Sequence, residues 1–147
     1  MSDQKTPDHK TPDQKTGHCL CQAVQYEFST TPLAAVHCHC IDYQRATGSG
    51  YATVFGLLRS DVAISGEANL SHYSLAADSG QRVTRSFCRR CGSPLFTEAD
   101  NNPELIWIKA GSLSDGGWLE PTDACWTGSA QNWAPAQNGV AHHAGNP

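Results

Sequence analysis

The chain has 147 residues, of which 39% are hydrophobic and 16% charged, and its formal net charge is -4. This length suits one domain with a moderate core, and the acidic balance argues against a nucleic-acid partner or an anionic membrane surface. No apolar run is long enough to cross a membrane and the polar start MSDQKTPDHK is no signal peptide, so we expect a cytoplasmic protein without a membrane partner.

Both ends of the chain are polar. Residues 1–16 repeat the unit DQKTP or DHKTP with almost no apolar side chain, which predicts a disordered tail because such a segment cannot bury surface. Residues 134–147 have a similar composition and predict a flexible C-terminal tail, with His142 and His143 at its surface. The stretch 17–133 is then expected to be the folded domain.

Short alternating or apolar runs, separated by Gly, Pro, Asp and Ser, predict a domain built mainly of β-strands. The predicted strands are 23–28, 34–39, 51–57, 62–65, 69–74, 82–87, 95–97, 105–110 and 124–127. One helix is predicted at 41–47, where IDYQRAT contains no glycine before Gly48. The expected fold class is therefore all-β with one short helix.

Six of the seven cysteines form three close pairs, two of type CXC and one of type CXXC: Cys19 and Cys21, Cys38 and Cys40, Cys88 and Cys91. In a strand, residues i and i+2 face the same side, so each CXC pair can present both sulfurs to one ion. The CXXC pair, followed by Gly92, is typical of a zinc knuckle. Spacing alone leaves open which two pairs share an ion. The unpaired Cys125 is predicted to be a buried strand thiol.

Three histidines flank the CXC pairs, namely His18, His37 and His39. Each is either a metal ligand or a hydrogen-bonded neighbour of one. If residues 37–40 form a strand, His37 and His39 face away from the adjacent cysteines, so all four side chains cannot hold one ion without a turn.

Several motifs together resemble the family of glutathione-dependent formaldehyde-activating enzymes, which also includes centromere protein V. The motifs are GHCLC at 17–21, CHC at 38–40, YS at 73–74, RSFCRRCGSPLF at 85–96, GSL at 111–113, Trp126 and Trp133. The resemblance implies an all-β fold of the Mss4-like, β-tent kind. It also implies a structural zinc held by the first CXC and the CXXC, which here are Cys19, Cys21, Cys88 and Cys91.

The resemblance further implies a second, catalytic zinc held by three cysteines in the pattern CHCXXC, with a coordination position open to substrate. Cys38 and Cys40 match the first two ligands, but Tyr43 stands in the third position. A neutral phenol is a poor replacement for a thiolate, so we expect about one zinc per chain. A second departure is Ala124, where the family often has a histidine.

Enzymes of the family are understood to join the sulfur of glutathione to formaldehyde, giving S-hydroxymethylglutathione, which makes them carbon-sulfur lyases. By resemblance, the chain is expected to act on a small thiol such as glutathione and a small aldehyde, with Cys38, Cys40 and Tyr43 at the catalytic site. Arg45 is the cation that we expect to bind a glutathione carboxylate. Arg85, Arg89, Arg90 and Lys109 are the other available cations.

Two other functions remain open from the sequence. The loss of the third cysteine at Tyr43 favours a zinc-stabilised binding module without catalysis. Alternatively, an enzyme of different chemistry would use Tyr43 as an acid or base together with His37 or His39.

Overall fold

The computed structural model describes residues 13–77 and 80–147, so most of the predicted N-terminal tail lies outside the described residues. The described part forms eleven β-strands and one α-helix, with several short 3-10 turns. The strands are β1 (Lys15–His18), β2 (Gln25–Phe28), β3 (Ala34–Cys38), β4 (Ala52–Leu58), β5 (Ala63–Ser65), β6 (Leu70–Ala76), β7 (Arg82–Cys88), β8 (Pro94–Ala99), β9 (Leu105–Lys109), β10 (Asp123–Cys125) and β11 (Ala141–His142), and the helix is α1 (Ile41–Thr47). The predicted all-β class with one short α-helix is confirmed.

The strands form two sheets. A three-stranded sheet has the order β1-β2-β5, and an eight-stranded sheet has the order β11-β10-β3-β4-β9-β8-β7-β6. Pairing is antiparallel except where β10 runs parallel to both β3 and β11. The main core contains side chains from both sheets, including Tyr26, Phe28, Phe55, Leu57, Phe96, Ile106 and Ile108.

Strand β4 shows that the eight-stranded sheet is covered on both faces. Its residues Phe55 and Leu57 belong to the main core, whereas Ala52 and Val54 belong to a second, smaller cluster. Because alternate strand residues point to opposite faces, the second cluster lies on the other face of the sheet, which we call the outer face. The outer-face cluster also contains Tyr43 of α1, so the helix packs there.

Helix α1 begins and ends where its local sequence predicts. Cys40 is the N-cap, and its sulfur accepts a hydrogen bond from the backbone N–H of Tyr43 at 3.3 Å. Gly48 ends the helix with φ of 70°, a left-handed conformation that glycine adopts without steric cost. This capping fixes Tyr43 beside Cys40 and directs the tyrosine ring onto the sheet.

All nine predicted strands overlap an observed strand, but β1 and β11 were not predicted. Strand β1 starts at Lys15, inside the stretch predicted as a tail, and Thr16 pairs with Glu27 of β2. These strands have sequences without an alternating apolar pattern, KTGH and AH, so they carry no strand signal of their own. Their conformation comes from backbone pairing with a neighbouring strand.

The C-terminal segment differs from the prediction of a flexible tail. Residues of β11 pair with β10, and Nε2 of His143 lies 2.6 Å from a carboxylate oxygen of Asp123. The indole N–H of Trp126 donates to the side-chain oxygen of Asn146 at 2.8 Å. The segment therefore packs along the edge of the eight-stranded sheet. No α-helix in the described part of the chain is long and apolar enough to span a membrane.

Candidate functional site

The first CXC pair and the CXXC pair meet in space, as the family resemblance implies. Cys19 and Cys21 follow β1, while Cys88 ends β7 and Cys91 lies in the turn before β8. Their four sulfur atoms all lie within 4.8 Å of one another. The sulfur of Cys21 lies 3.8 Å from the sulfur of Cys19 and 3.7 Å from that of Cys88. A tetrahedral ion with metal–sulfur bonds of about 2.3 Å would place its ligand atoms roughly 3.8 Å apart. The cluster therefore fits one metal ion.

Backbone N–H groups orient the sulfurs of this cluster. Val24 N–H donates to the sulfur of Cys19 at 3.3 Å, and Arg90 N–H donates to the sulfur of Cys88 at 3.4 Å. Such bonds favour the thiolate form and hold the ligand in place. With φ of 82°, Gly92 supplies the turn that brings the CXXC pair around the site. The cluster links the end of β1 in one sheet to β7 and β8 in the other.

The second CXC pair lies on the outer face and does not form a comparable ligand set with Tyr43. The Tyr43 hydroxyl donates to Oγ1 of Thr97 at 3.1 Å, so it is not directed at Cys38 or Cys40. Burial is the main cause that raises the pKa of Tyr43 to about 12. A neutral phenol already engaged with Thr97 does not fit as the third ligand of an ion on the two cysteines.

Cys125 lies beside the second CXC pair, and the sequence analysis did not predict this proximity. It is 3% exposed in β10, as expected of a buried strand thiol, and it stands directly opposite Cys38 of β3. A hydrogen bond with Cys125 is the largest cause that raises the pKa of Cys38 to about 11. The pairing joins residues 87 positions apart, and no local sequence pattern around Cys125 predicts it.

A buried lysine and a half-buried arginine flank the Tyr43 ring. Lys109 Nζ lies 4.8 Å from the ring centroid, and the guanidinium carbon of Arg85 lies 5.0 Å from it. Lys109 is only 7% exposed and donates to Oγ1 of Thr97 at 3.0 Å. Burial first, and then the positive charge of Arg85, lower the pKa of Lys109 to about 7. The amine is therefore poised between its charged and neutral forms near neutral pH.

Two cavities adjoin this group. The larger, of about 680 Å³, is lined by residues that include His18, Leu20, Ser49, Tyr51 and Ser112. The smaller, of about 300 Å³, is lined by residues that include Tyr73, Arg85, Phe87 and Phe96. Lys109 and Pro94 line both cavities. Arg45, the cation predicted to bind glutathione, is exposed on α1 and lines neither cavity.

The histidines of the second CXC region lie apart from Tyr43. Nδ1 of His37 lies 2.8 Å from Oγ1 of Thr53, and Nε2 of His39 lies 3.1 Å from the side-chain oxygen of Gln137. Both imidazole rings contact Tyr51, with centroids 5.7 and 5.0 Å away. Within residues 13–77 and 80–147, no hydrogen bond or ring contact joins Tyr43 to a histidine. The structure thus does not assemble the pair that the enzyme of different chemistry would need.

Comparisons with known proteins agree with this architecture. The family model described as glutathione-dependent formaldehyde-activating enzyme matches residues 14–129. A crystal structure of a protein from Rhodobacter sphaeroides is similar over 72% of this chain and 91% of its own, with 25% sequence identity and a TM-score of 0.55. No curated protein sequence matches the chain. Because the family model covers most of the chain and the four-cysteine cluster is assembled, the chain belongs to the family of glutathione-dependent formaldehyde-activating enzymes.

Proposed function

We propose that this protein binds a structural zinc ion and adds a small thiol, such as glutathione, to a small aldehyde, forming a carbon–sulfur bond. Membership of the family supports the reaction class. The observation that carries the proposal is Lys109, a buried amine that lines both cavities and lies beside Arg85 and Tyr43. The product would be a hydroxyalkyl thioether of the S-hydroxymethylglutathione type.

Zinc is the proposed ion at Cys19, Cys21, Cys88 and Cys91. Four thiolates in tetrahedral array suit Zn²⁺, which has no redox chemistry and favours sulfur ligands in structural sites. Four protein ligands leave no coordination position for substrate, so the role of this ion is to stabilise the fold. It would crosslink the end of β1 to the turn between β7 and β8.

Arg85 and Lys109 are proposed to bind a carboxylate of the thiol substrate, in place of the exposed Arg45. In the described part of the chain, neither cation forms a salt bridge with an acidic side chain. Nε of Arg85 is buried and has no hydrogen-bond partner in the protein. A buried donor without a partner is costly, and a carboxylate entering the smaller cavity would satisfy it. Glutathione, with two carboxylates, has the required chemistry.

Lys109 is also proposed to move the proton. Its neutral amine would accept the proton of the thiol, and the thiolate sulfur would then attack the carbonyl carbon of the aldehyde. As the sulfur–carbon bond forms, the carbonyl π bond breaks, and the ammonium returns the proton to the oxygen. Atoms and charges balance without an oxidant or reductant. A pKa of about 7 suits a group that must first accept and then donate a proton at neutral pH.

The test is the rate at which ¹³C-formaldehyde and glutathione exchange with S-hydroxymethylglutathione, measured by NMR exchange spectroscopy with and without protein. The unmodified protein is expected to raise this rate above that of buffer, and Lys109→Met is expected to abolish the increase. The matched control is Lys15→Met. Lys15 lies in β1 of the three-stranded sheet, and its amine contacts the ring of Trp118. An exchange rate equal to that of buffer for the unmodified, zinc-loaded protein would overturn the proposal.

A non-catalytic, zinc-stabilised binding module is the second candidate. One specific observation favours it: the hydroxyl of Tyr43, at the third position of the family pattern, is engaged with Thr97. The protein would have this function if calorimetry detects glutathione binding, if Arg85→Met lowers the affinity for glutathione, and if the protein leaves the exchange rate unchanged.

A further inference from the structure

We propose that Cys125 completes a second metal site with Cys38 and Cys40, giving three thiolate ligands for a thiophilic divalent ion such as zinc. The site replaces the Tyr43 position with a cysteine from a different strand. This inference concerns metal binding alone and does not rest on the proposed reaction. It revises the sequence-based expectation of about one zinc per chain to two.

The first argument is the strand register. Strands β3 and β10 are parallel, and Cys125 is the direct partner of Cys38. Directly paired residues of neighbouring strands point to the same face, with backbones about 4.8 Å apart. Cys40 follows Cys38 by two residues and packs against the same outer-face cluster, which also contains Cys125. Three thiols therefore share one side of the sheet at the start of α1.

The second argument is that the sulfur of Cys40 accepts the same type of hydrogen bond as two sulfurs of the structural cluster. Its sulfur accepts the backbone N–H of Tyr43 at 3.3 Å. The sulfurs of Cys19 and Cys88 each accept a backbone N–H at 3.3 and 3.4 Å. In both places the backbone already presents donors to a cysteine sulfur, which is the arrangement that supports a metal-bound thiolate. The first turn of helix α1 thus orients the sulfur of Cys40 in the same way as the local turns orient the sulfurs of Cys19 and Cys88.

The third argument is that Tyr43 and His37 are engaged elsewhere. Tyr43 donates to Thr97, and Nδ1 of His37 lies 2.8 Å from Oγ1 of Thr53, whereas Nδ1 of His39 is buried without a hydrogen-bond partner. The thiol of Cys125 forms a hydrogen bond with the neighbouring thiol of Cys38 and makes a long contact to the carbonyl of His37, at 3.6 Å. Breaking the long contact to His37 costs little. The positive charge of Arg85, on the same face, would offset the excess negative charge of three thiolates around a divalent ion.

Formation of the site requires one adjustment. Among the described residues, the structural cluster is the one group whose ligand atoms all lie within 4.8 Å of one another. The sulfurs of Cys38, Cys40 and Cys125 must therefore converge by side-chain rotation when the ion binds. Rotation of Cys125 away from the His37 carbonyl provides this movement without a change in the backbone pairing.

The experiment is a zinc count by mass spectrometry on purified protein, together with the thermal transition of each variant. We expect two zinc ions in the unmodified protein, one in Cys125→Val and two in Tyr43→Phe. Valine is apolar and its β-branched side chain suits strand β10, so a normal transition with one zinc would show that only the second site is lost. The double variant Tyr43→Cys with Cys125→Val should return the count to two, because its third sulfur then stands three residues after Cys40, in the CXXC spacing of the family pattern.

Three results would each overturn the inference: one zinc in the unmodified protein, two zinc ions in Cys125→Val, or one zinc in Tyr43→Phe. If Cys125→Val does not fold, ¹¹³Cd NMR of the unmodified protein loaded with cadmium decides. Two resonances are then expected, one from a four-sulfur site and one shifted upfield from a three-sulfur site. A single resonance would contradict the proposal. None of these readouts depends on catalysis, so they remain informative if the exchange assay fails.

Discussion

The ammonium of Lys109 lies 4.8 Å from the centre of the Tyr43 ring, and both side chains donate to the same oxygen, Oγ1 of Thr97. This arrangement holds a cation against the negative face of an aromatic ring in a water-poor place. Thr97 ties strand β8 to β9 and to helix α1. The position of the amine between the two cavities therefore depends on one hydroxyl and one ring.

Lys109→Met should remove a pH dependence of stability. The folded-state pKa of about 7 lies below the ordinary value of 10.5, so between these values the unfolded state binds more protons. Above pH 10.5 the amine is neutral in both states, so the folded protein keeps the full stability contributed by the neutral form. This stability is lost as the pH falls towards 7, because the unfolded state takes up the proton more readily. Urea unfolding from pH 6 to 10 should show a free energy of unfolding that rises less steeply with pH in the variant. Equal slopes would contradict the assigned burial of the amine.

Tyr43→Phe should destabilise the protein by about 1 kcal/mol, because it deletes one buried hydrogen bond while Thr97 keeps its bond to Lys109. The measurement is the urea midpoint at constant slope. Tyr73→Phe is the matched control, since Tyr73 is 64% exposed and is expected to have no effect within error. A Tyr43→Phe protein as stable as the parent would mean that the hydroxyl contributes nothing.

Cys88→Ser should release the structural ion and abolish the cooperative thermal transition. The cysteine is 0% exposed, and its loss leaves the other three thiols, of which that of Cys19 is buried, without a complete ligand set. The zinc count and a calorimetric scan report the two effects. Cys38→Ser is the comparison, because it should leave the structural ion bound and the transition cooperative. Retention of the ion by Cys88→Ser would contradict the assignment of this site.

Removal of residues 1–12 and removal of residues 1–16 should differ. The first deletion takes away only a polar repeat and should leave the melting temperature unchanged. The second also removes Lys15 and Thr16, and with them half of the pairing between β1 and β2 next to Cys19. Its melting temperature should fall by several degrees. Equal melting temperatures for the two truncated proteins would show that the start of β1 contributes no stability.

The sequence by itself determined the features whose cause is local. Helix α1 follows from the run after Cys40 and the glycine at position 48, and the main strands follow from apolar alternation. The three cysteine pairs are visible as CXC and CXXC, but their spacing left the choice between pairs open. The resemblance to a family selected Cys19, Cys21, Cys88 and Cys91, and the structure brings their sulfurs together.

The tertiary structure decided what depends on contacts between distant segments. The parallel pairing of β3 with β10 sets Cys125 against Cys38, and no residue near either position predicts it. The cross-strand neighbours of Lys109 bury it beside Tyr43, which changes its pKa although its sequence context is that of an ordinary strand end. Backbone hydrogen bonding at a sheet edge likewise orders the polar C-terminal segment at β11. Such backbone pairing is independent of side-chain polarity, and for that reason composition predicted a tail there.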